Sequence, residues 1–194
     1  MKRCGWGESE YMLEYHDTEW GVPVFDDQKH FEFLVLESAQ AGLSWLTILK
    51  KRENYRKAYD NFDPKKVARY SEAKKAKLLA DAGIIRNRLK IEASISNAQK
   101  FLEIQKEFGS FSNYIWAFVN GKPVTGKWKN IAELPARTEL SDSVSFDMKK
   151  RGFKFLGTVI MYSHLQATGI INDHLMDCFR YKEIKKMSAA NSTA

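Results

Sequence analysis

The sequence predicts an all-α fold, and three observations carry that prediction. Apolar residues recur at helical spacing through most of the chain, and a capping residue precedes nearly every such stretch. No segment sustains the two-residue alternation of a half-buried strand, and no internal repeat is visible. At 194 residues the chain can bury a real core in one domain. Its apolar content of 44% beside 28% charged residues is ordinary for a soluble globular protein. No apolar run approaches the roughly 20 residues that cross a bilayer, and Met1-Lys2-Arg3-Cys4 has no hydrophobic segment behind it. The expected location is the cytoplasm, in association with the nucleoid if the partner is DNA.

The elements follow in order. Residues 1–23 show little periodicity but gather Cys4, Trp6, Tyr11, Tyr15, His16 and Trp20, an aromatic density that must pack on something. Asp26 or Asp27 caps a helix running to about Ala41, with Phe31, Leu34 and Val35 on one face. Ser44 caps the next, carrying Trp45, Ile48 and Leu49. Asp63-Pro64 opens a short helix and Ser71 another, which ends near Asp81. After a turn at Gly83 a long helix opens among Arg86, Arg88 and Lys90 and runs to about Phe108. Ser110 starts a short aromatic helix through Val119. A loop is expected from there to Ser141, then a helix from Asp142 to Lys150. The nearly apolar stretch Gly157–Thr168 should form a central helix. Asn172 or Asp173 should cap the last one, holding His174 and Cys178. His30 reads as a surface helix residue and His164 as a core one.

The net charge of +7 favours a polyanionic partner, since neutralised phosphates supply much of nucleic-acid affinity. Two stretches place cations beside a glycine turn: Arg86, Arg88 and Lys90 after Gly83, and Lys149-Lys150-Arg151-Gly152-Phe153-Lys154. The first also offers backbone N–H groups at a helix start, which suit a phosphate. Solvated lysines around plain loops would look the same.

The only two cysteines lie 174 positions apart, so a shared metal is the first question. On a helix His174 and Cys178 would point from one face, and Cys4 and His16 would complete the Cys2His2 set of a closed structural zinc site. Two buried thiols and two unrelated histidines remain the competing reading. The stretch Glu37-Ser38-Ala39-Gln40-Ala41-Gly42-Leu43-Ser44-Trp45 is the other unusual feature. A glutamate on the inner side of an apolar helix is costly to bury ionised. Gly42 and Ser44 would fold the chain so that Glu37 and Trp45 converge across a corner with Leu43 at its tip. An ordinary corner with its glutamate in solvent is the alternative.

These residues resemble a known family. Arg3-Cys4-Gly5-Trp6, Tyr15-His16-Asp17-Thr18-Glu19-Trp20-Gly21-Val22-Pro23, Glu37, Gln40-Ala41-Gly42-Leu43-Ser44-Trp45, Asp81-Ala82-Gly83-Ile84-Ile85-Arg86, Lys150-Arg151-Gly152-Phe153-Lys154-Phe155-Leu156-Gly157 and Asn172-Asp173-His174 with Cys178 are similar to the 3-methyladenine DNA glycosylase I family. The resemblance covers residues 1–181 in order, leaving 182–194 as a polar tail expected to be disordered. It implies a bilobal, all-α helix-hairpin-helix glycosylase domain with a Zn2+ site at Cys4, His16, His174 and Cys178. It further implies excision of 3-methyladenine from DNA, leaving an abasic site. The hairpin lacks the Gly-x-Gly loop of most helix-hairpin-helix proteins, and the usual catalytic aspartate of that superfamily is not evident; both departures are normal for the family.

On that basis the target nucleotide must leave the stack, with Leu43 beside Gly42 filling the gap as an apolar wedge. Arg86, Arg88, Lys90, Lys150 and Lys154 would hold flanking phosphates of double-stranded DNA. Trp45, Trp6 and Trp20 would supply aromatic surfaces, on which a cationic ring gains about 0.5–2 kcal/mol. Glu37 would accept from the exocyclic amine and favour the cationic lesion, and Tyr15 would add a polar contact. A cationic base is already a good leaving group, so monofunctional hydrolysis by water is expected, from a monomer. The rival is a zinc-stapled DNA-binding module without catalysis. A zinc deaminase is disfavoured, because His-x-Glu with Pro-Cys-x-x-Cys is absent.

Overall fold

The computed structural model describes the backbone of residues 1–191 and the side chains of residues 1–187. The described residues include ten α-helices: α1 (Glu10–Thr18), α2 (Asp27–Gln40), α3 (Trp45–Ala58), α4 (Pro64–Val67), α5 (Glu72–Ala80), α6 (Arg88–Phe108), α7 (Phe111–Ala117), α8 (Glu139–Lys150), α9 (Thr158–Ala167) and α10 (Phe179–Asn191). The expected caps at Asp26, Ser44, Asp63, Ser71 and Ser110 each accept a backbone N–H from their own first turn. Such bonds span two or three residues, which is why they can be read from the sequence.

Four boundaries differ from expectation. The N-terminal arm contains a helix, α1, capped by Ser9. Helix α8 starts at Glu139, because Thr138 and Ser141 form a reciprocal capping box. The stretch expected to be loop includes β1 (Val124–Thr125), which pairs in parallel with β2 (Ile171–Asn172). The last helix begins only at Phe179, so His174 and Cys178 lie in the turn before it and share no helix face. It then runs through residues read as a disordered tail, because Ile184 is fully buried against the fold; 192–194 lie outside the described residues.

Helix α2 is the buried axis. Every residue from His30 to Ala39 is buried, so the helix has no solvent face there. Phe31, Leu34, Val35 and Leu36 enter the main core with α6, α7 and α9, while Phe33 enters a second cluster with Cys4, Tyr15, Trp20 and Cys178. Helix α9, expected at the centre, leaves Val159 exposed and buries its other side. Arg52 of α3 joins the layers, donating to both Glu19 oxygens at 2.5 and 2.8 Å and to Glu32 of α2 at 2.8 Å. That network sets the end of α1 against α2 and α3.

Candidate active site

Where α2 ends, Gln40 O accepts from Leu43 N at 2.6 Å, and Gly42 turns the chain at φ +80°, a conformation that favours glycine. Ser44 caps α3, so Trp45 follows at once and Leu43 stands exposed at the tip. Lys90 reaches this corner from α6. Its ammonium donates to Ala39 O at 2.8 Å and Ala41 O at 2.6 Å, carbonyls that the end of α2 leaves open. Lys90 is therefore a clasp on the corner and not a free cation for phosphate.

Glu37 is buried one turn before the corner, 2% exposed. It lies in the lining of a cavity of about 270 Å³ together with Trp6, Tyr15, Trp20, Gln40 and Trp45. All five residues expected at the base pocket are thus brought together. Their rings meet edge-on or tilted: Trp6 and Trp20 centroids are 5.2 Å apart at 73°, and Tyr15 and Trp45 are 5.5 Å apart at 56°. The indole N–H groups of Trp6 and Trp45 are buried and have no hydrogen-bond partner among the described residues. Burial pushes the Glu37 carboxyl well above its usual range. His164 Nδ1 stands 2.8 Å from Glu37 Oε2.

The sequence reading missed several lining residues: Gln40, Ser163 and Gln166, with Met12, Ile131 and Leu134 on the apolar side. Ser163 and Gln166 are polar residues at positions i and i+3 of the largely apolar α9, a signal that was present but pointed nowhere without knowing that α9 packs on α2. Gln166 Nε2 donates to Asp173 Oδ2 at 2.9 Å; the same carboxylate accepts from Trp128 Nε1 at 2.6 Å and from the Tyr162 hydroxyl. A Cβ on Gly126 would stand 2.3 Å from Trp128 Nε1 and 2.4 Å from Asp173 Oδ1, so only glycine lets the loop close over this carboxylate.

Beside the pocket the donor atoms of Cys4, His16, His174 and Cys178 lie within 4.8 Å of one another, all buried. Cys4 Sγ to His174 Nδ1 is 3.5 Å, Cys178 Sγ to His16 Nε2 is 3.5 Å, and Cys178 Sγ to His174 Nδ1 is 3.6 Å. A tetrahedral ion with metal–sulfur and metal–nitrogen bonds of about 2.3 and 2.0 Å requires sulfur–nitrogen edges of about 3.5 Å. The other nitrogen of each ring is also accounted for. His16 Nδ1 lies 2.8 Å from Asp17 Oδ1, and His174 Nε2 lies 3.0 Å from the Trp20 carbonyl oxygen. Such outer contacts leave the inward nitrogens free to ligate. The residues fit a metal ion, and they tie it to the pocket: Trp6 packs on His16 at 5.3 Å and Trp20 on His174 at 4.5 Å.

The remaining cations lie on the surface. Arg86 and Arg88 are exposed in the turn and first residue between α5 and α6, Arg88 lying 3.6 Å from Glu92. Two turn amides are already engaged within the protein: Gly83 N donates to Asp81 at 2.7 Å and Ile85 N to the Tyr55 hydroxyl at 3.1 Å. Lys150 stands over the Phe146 ring at 4.6 Å. Lys154 is exposed, on a loop held by Asn97, which accepts from Lys154 N at 2.8 Å and donates to its carbonyl at 2.9 Å.

A family model described as methyladenine glycosylase matches residues 6–181. The chain is 48% identical over 182 residues to DNA-3-methyladenine glycosylase 1 of Escherichia coli, covering 93% of this chain and 97% of that one. It is 46% identical over 177 residues to DNA-3-methyladenine glycosylase of Haemophilus influenzae, covering 91% and 96%. The fold matches a structure of 3-methyladenine DNA glycosylase I of Staphylococcus aureus concerned with 3-methyladenine recognition, with TM-score 0.90, 40% identity and coverage of 93% and 97%.

Proposed function

This chain belongs to the methyladenine glycosylase family, and on that premise we propose that it is a monofunctional DNA glycosylase excising 3-methyladenine from alkylated duplex DNA. The observation that carries the reading is Glu37, a carboxyl buried among Trp6, Tyr15, Trp20 and Trp45 in a pocket large enough for a base. Alkylation at N3 makes the adenine ring cationic. Indole faces attract a cation, and the carboxyl oxygen accepts from the exocyclic amine. Guanine carries a carbonyl where adenine carries that amine, so it would face Glu37 acceptor to acceptor. The two buried indole N–H groups are donors that ring nitrogens of a purine can satisfy.

To reach the pocket the nucleotide leaves the stack, and Leu43 at the tip of the corner fills the space it vacates. Arg86, Arg88, Lys150 and Lys154 hold flanking phosphates, contacts that weaken as salt rises. Residues 81–87 between α5 and α6 serve as the hairpin of a helix-hairpin-helix motif. The neutral purine leaves from a cationic nucleoside without needing a proton, and water takes its place on the sugar to give an abasic site. Cys4, His16, His174 and Cys178 would hold a structural Zn2+, which supplies no step of the reaction and fixes the arm carrying Trp6, Tyr15 and Trp20. The enzyme would act as a cytoplasmic monomer on chromosomal DNA.

The test is incubation with methylated duplex DNA and chromatography of the released bases. Release of 3-methyladenine, with 7-methylguanine left in place, is expected. DNA binding without base release would leave the non-catalytic module standing instead. Glu37→Gln should lower excision by about 100-fold or more while duplex affinity changes little, since one charged contact near the reacting base is lost. Unchanged excision in that variant would remove Glu37 from its role.

A further inference from the structure

Two of the four histidines, His30 and His164, belong neither to the metal cluster nor to the pocket lining. Both are fully buried and stand end to end behind Glu37. His164 Nδ1 is 2.8 Å from Glu37 Oε2, His164 Nε2 is 3.2 Å from His30 Nδ1, and His30 Nε2 is 3.0 Å from the Val24 carbonyl oxygen.

Three contacts in a row require three hydrogens, and the far end fixes their direction. A carbonyl only accepts, so His30 carries its hydrogen on Nε2. If both rings are neutral, His30 Nδ1 accepts, His164 donates from Nε2, and His164 Nδ1 accepts in turn. The last hydrogen must then come from Glu37. Two neutral imidazoles and an ionised carboxylate supply only two hydrogens. They would leave one contact with lone pairs facing each other, at a depth where an unmade hydrogen bond is costly. The filled row holds one proton more and has no net charge. Burial acts in the same direction, pushing Glu37 up and both imidazoles down to about 3.

We propose that Glu37, His164 and His30 share a single proton, which rests on Glu37 in the empty pocket and moves along the row when a cationic base binds. The inference rests on the pocket being the site for a cationic alkylated purine, as proposed above. In the step, the Glu37 Oε2–H bond breaks and a bond forms to His164 Nδ1. His164 passes its Nε2 hydrogen to His30 Nδ1, which leaves an imidazolium on His30, the ring that the negative charge of Asp27 favours. Glu37 then faces the base as a carboxylate, the new positive charge is withdrawn to the far ring, and no proton enters or leaves the protein. A neutral purine supplies no charge to drive this ionisation in a dry site. The row therefore distinguishes alkylated from normal adenine by charge as well as shape. The other faces of the row are aromatic, Phe33 and Phe111 against His164, while Tyr15 on α1 is the titratable group that feels Glu37. His164 and His30 are positioning residues: they act on the base only through Glu37.

The test uses the zinc-loaded full chain and two probes. One is 3,9-dimethyladeninium, permanently cationic with a methyl in place of the sugar; the other is neutral 9-methyladenine. Nitrogen NMR of the histidine rings should show His30 and His164 neutral in the free chain. One of them should become imidazolium with the cation and neither with the neutral probe. Calorimetry in buffers of different ionisation heat should find no net proton exchange. His164→Asn keeps an N–H for Glu37 but cannot take its proton, so Glu37 can ionise only by releasing that proton to buffer; cation binding should weaken by about tenfold or more, the factor of one pKa unit, and proton release should appear in the calorimetry. Both rings remaining neutral with the cation bound, an imidazolium already present in the free chain, or release of a proton to buffer by the wild type would each overturn the inference. If His164→Asn does not fold, the wild-type spectra still decide. Wild-type excision with unresponsive rings removes this inference alone; no excision and no probe binding removes the functional reading with it.

Discussion

The metal cluster and the proton row are built from the same kind of part and do different things with it. Each places two buried histidines beside acidic side chains drawn from distant parts of the chain. At the cluster, His16 and His174 each turn one nitrogen toward sulfur and tie the other to an oxygen, Asp17 or the Trp20 carbonyl. Four donors then converge on one point, a geometry that suits an ion. In the row, His30 and His164 turn nitrogens toward each other, and the donors string out between a carbonyl and a carboxyl. Nothing converges, and a line of that kind suits a proton. All four rings tie one nitrogen to an oxygen; the difference lies in what the other nitrogen meets, sulfur at the cluster and a second imidazole in the row.

The largest effect should come from breaking the convergent region. Cys178→Ser, or chelation of the wild type, should cost at least about 4 kcal/mol of stability, the linkage value for an ion whose dissociation constant lies a thousandfold below its free concentration. Excision should fall with it, because Trp6 and Trp20 rest on the ligating rings. Denaturation with and without chelator, alongside metal analysis, measures this; a chain purified without chelator that holds no zinc and unfolds normally would contradict it. A milder change, Asp17→Asn, should lower metal affinity by about 10–100-fold and leave excision at saturating zinc nearly intact. His30→Gln should do the reverse, with full metal content and slower excision. The same response from both variants would show that the two regions are not separable.

The row also predicts a pH dependence whose sign can be worked out. Unfolded, the two imidazoles bind protons below about pH 6.5 and the carboxyl below about 4.3, whereas the folded row holds one proton throughout. Above about pH 6.5 folding takes up a proton, so stability falls as pH rises; below it the unfolded chain binds more, so stability falls as pH drops. The row's contribution therefore peaks near pH 6.5, with limiting slopes of about 1.4 kcal/mol per pH unit per proton. Denaturation at fixed zinc, as the difference between wild type and a variant lacking all three titrating groups (Glu37→Gln with His164→Asn and His30→Asn), checks this, and a steady rise from about pH 5 to 8 would contradict it. The smallest effect concerns the corner. Lys90→Met should cost about 1 kcal/mol by freeing two carbonyls of α2, and it should slow excision more than it weakens DNA binding. A loss confined to DNA affinity would return Lys90 to the role of a phosphate contact.

Much of the fold was legible because it is local. Asp26, Ser44, Asp63, Ser71 and Ser110 cap helices through bonds to amides two or three residues on, and the turn at Gly42 needs only its own backbone freedom. The four sulfur and nitrogen donors were legible for a different reason: with only two cysteines, the possible partners are few. Even so, the spacing of His174 and Cys178 suggested a shared helix that does not exist, since a turn brings side chains four apart together as well.

The sequence by itself determined where most helices start, which residues could hold an ion, and that Glu37 stands beside a sharp corner. Tertiary structure alone decided what surrounds that carboxyl. His164 lies 127 positions from Glu37 and 134 from His30, Gln166 reaches the pocket from α9, and Lys90 clasps α2 from α6. None of these contacts has a period or a local partner to announce it. They arise because α2 is buried on every side, and each polar group along it must find its hydrogen bond on whichever helix packs there.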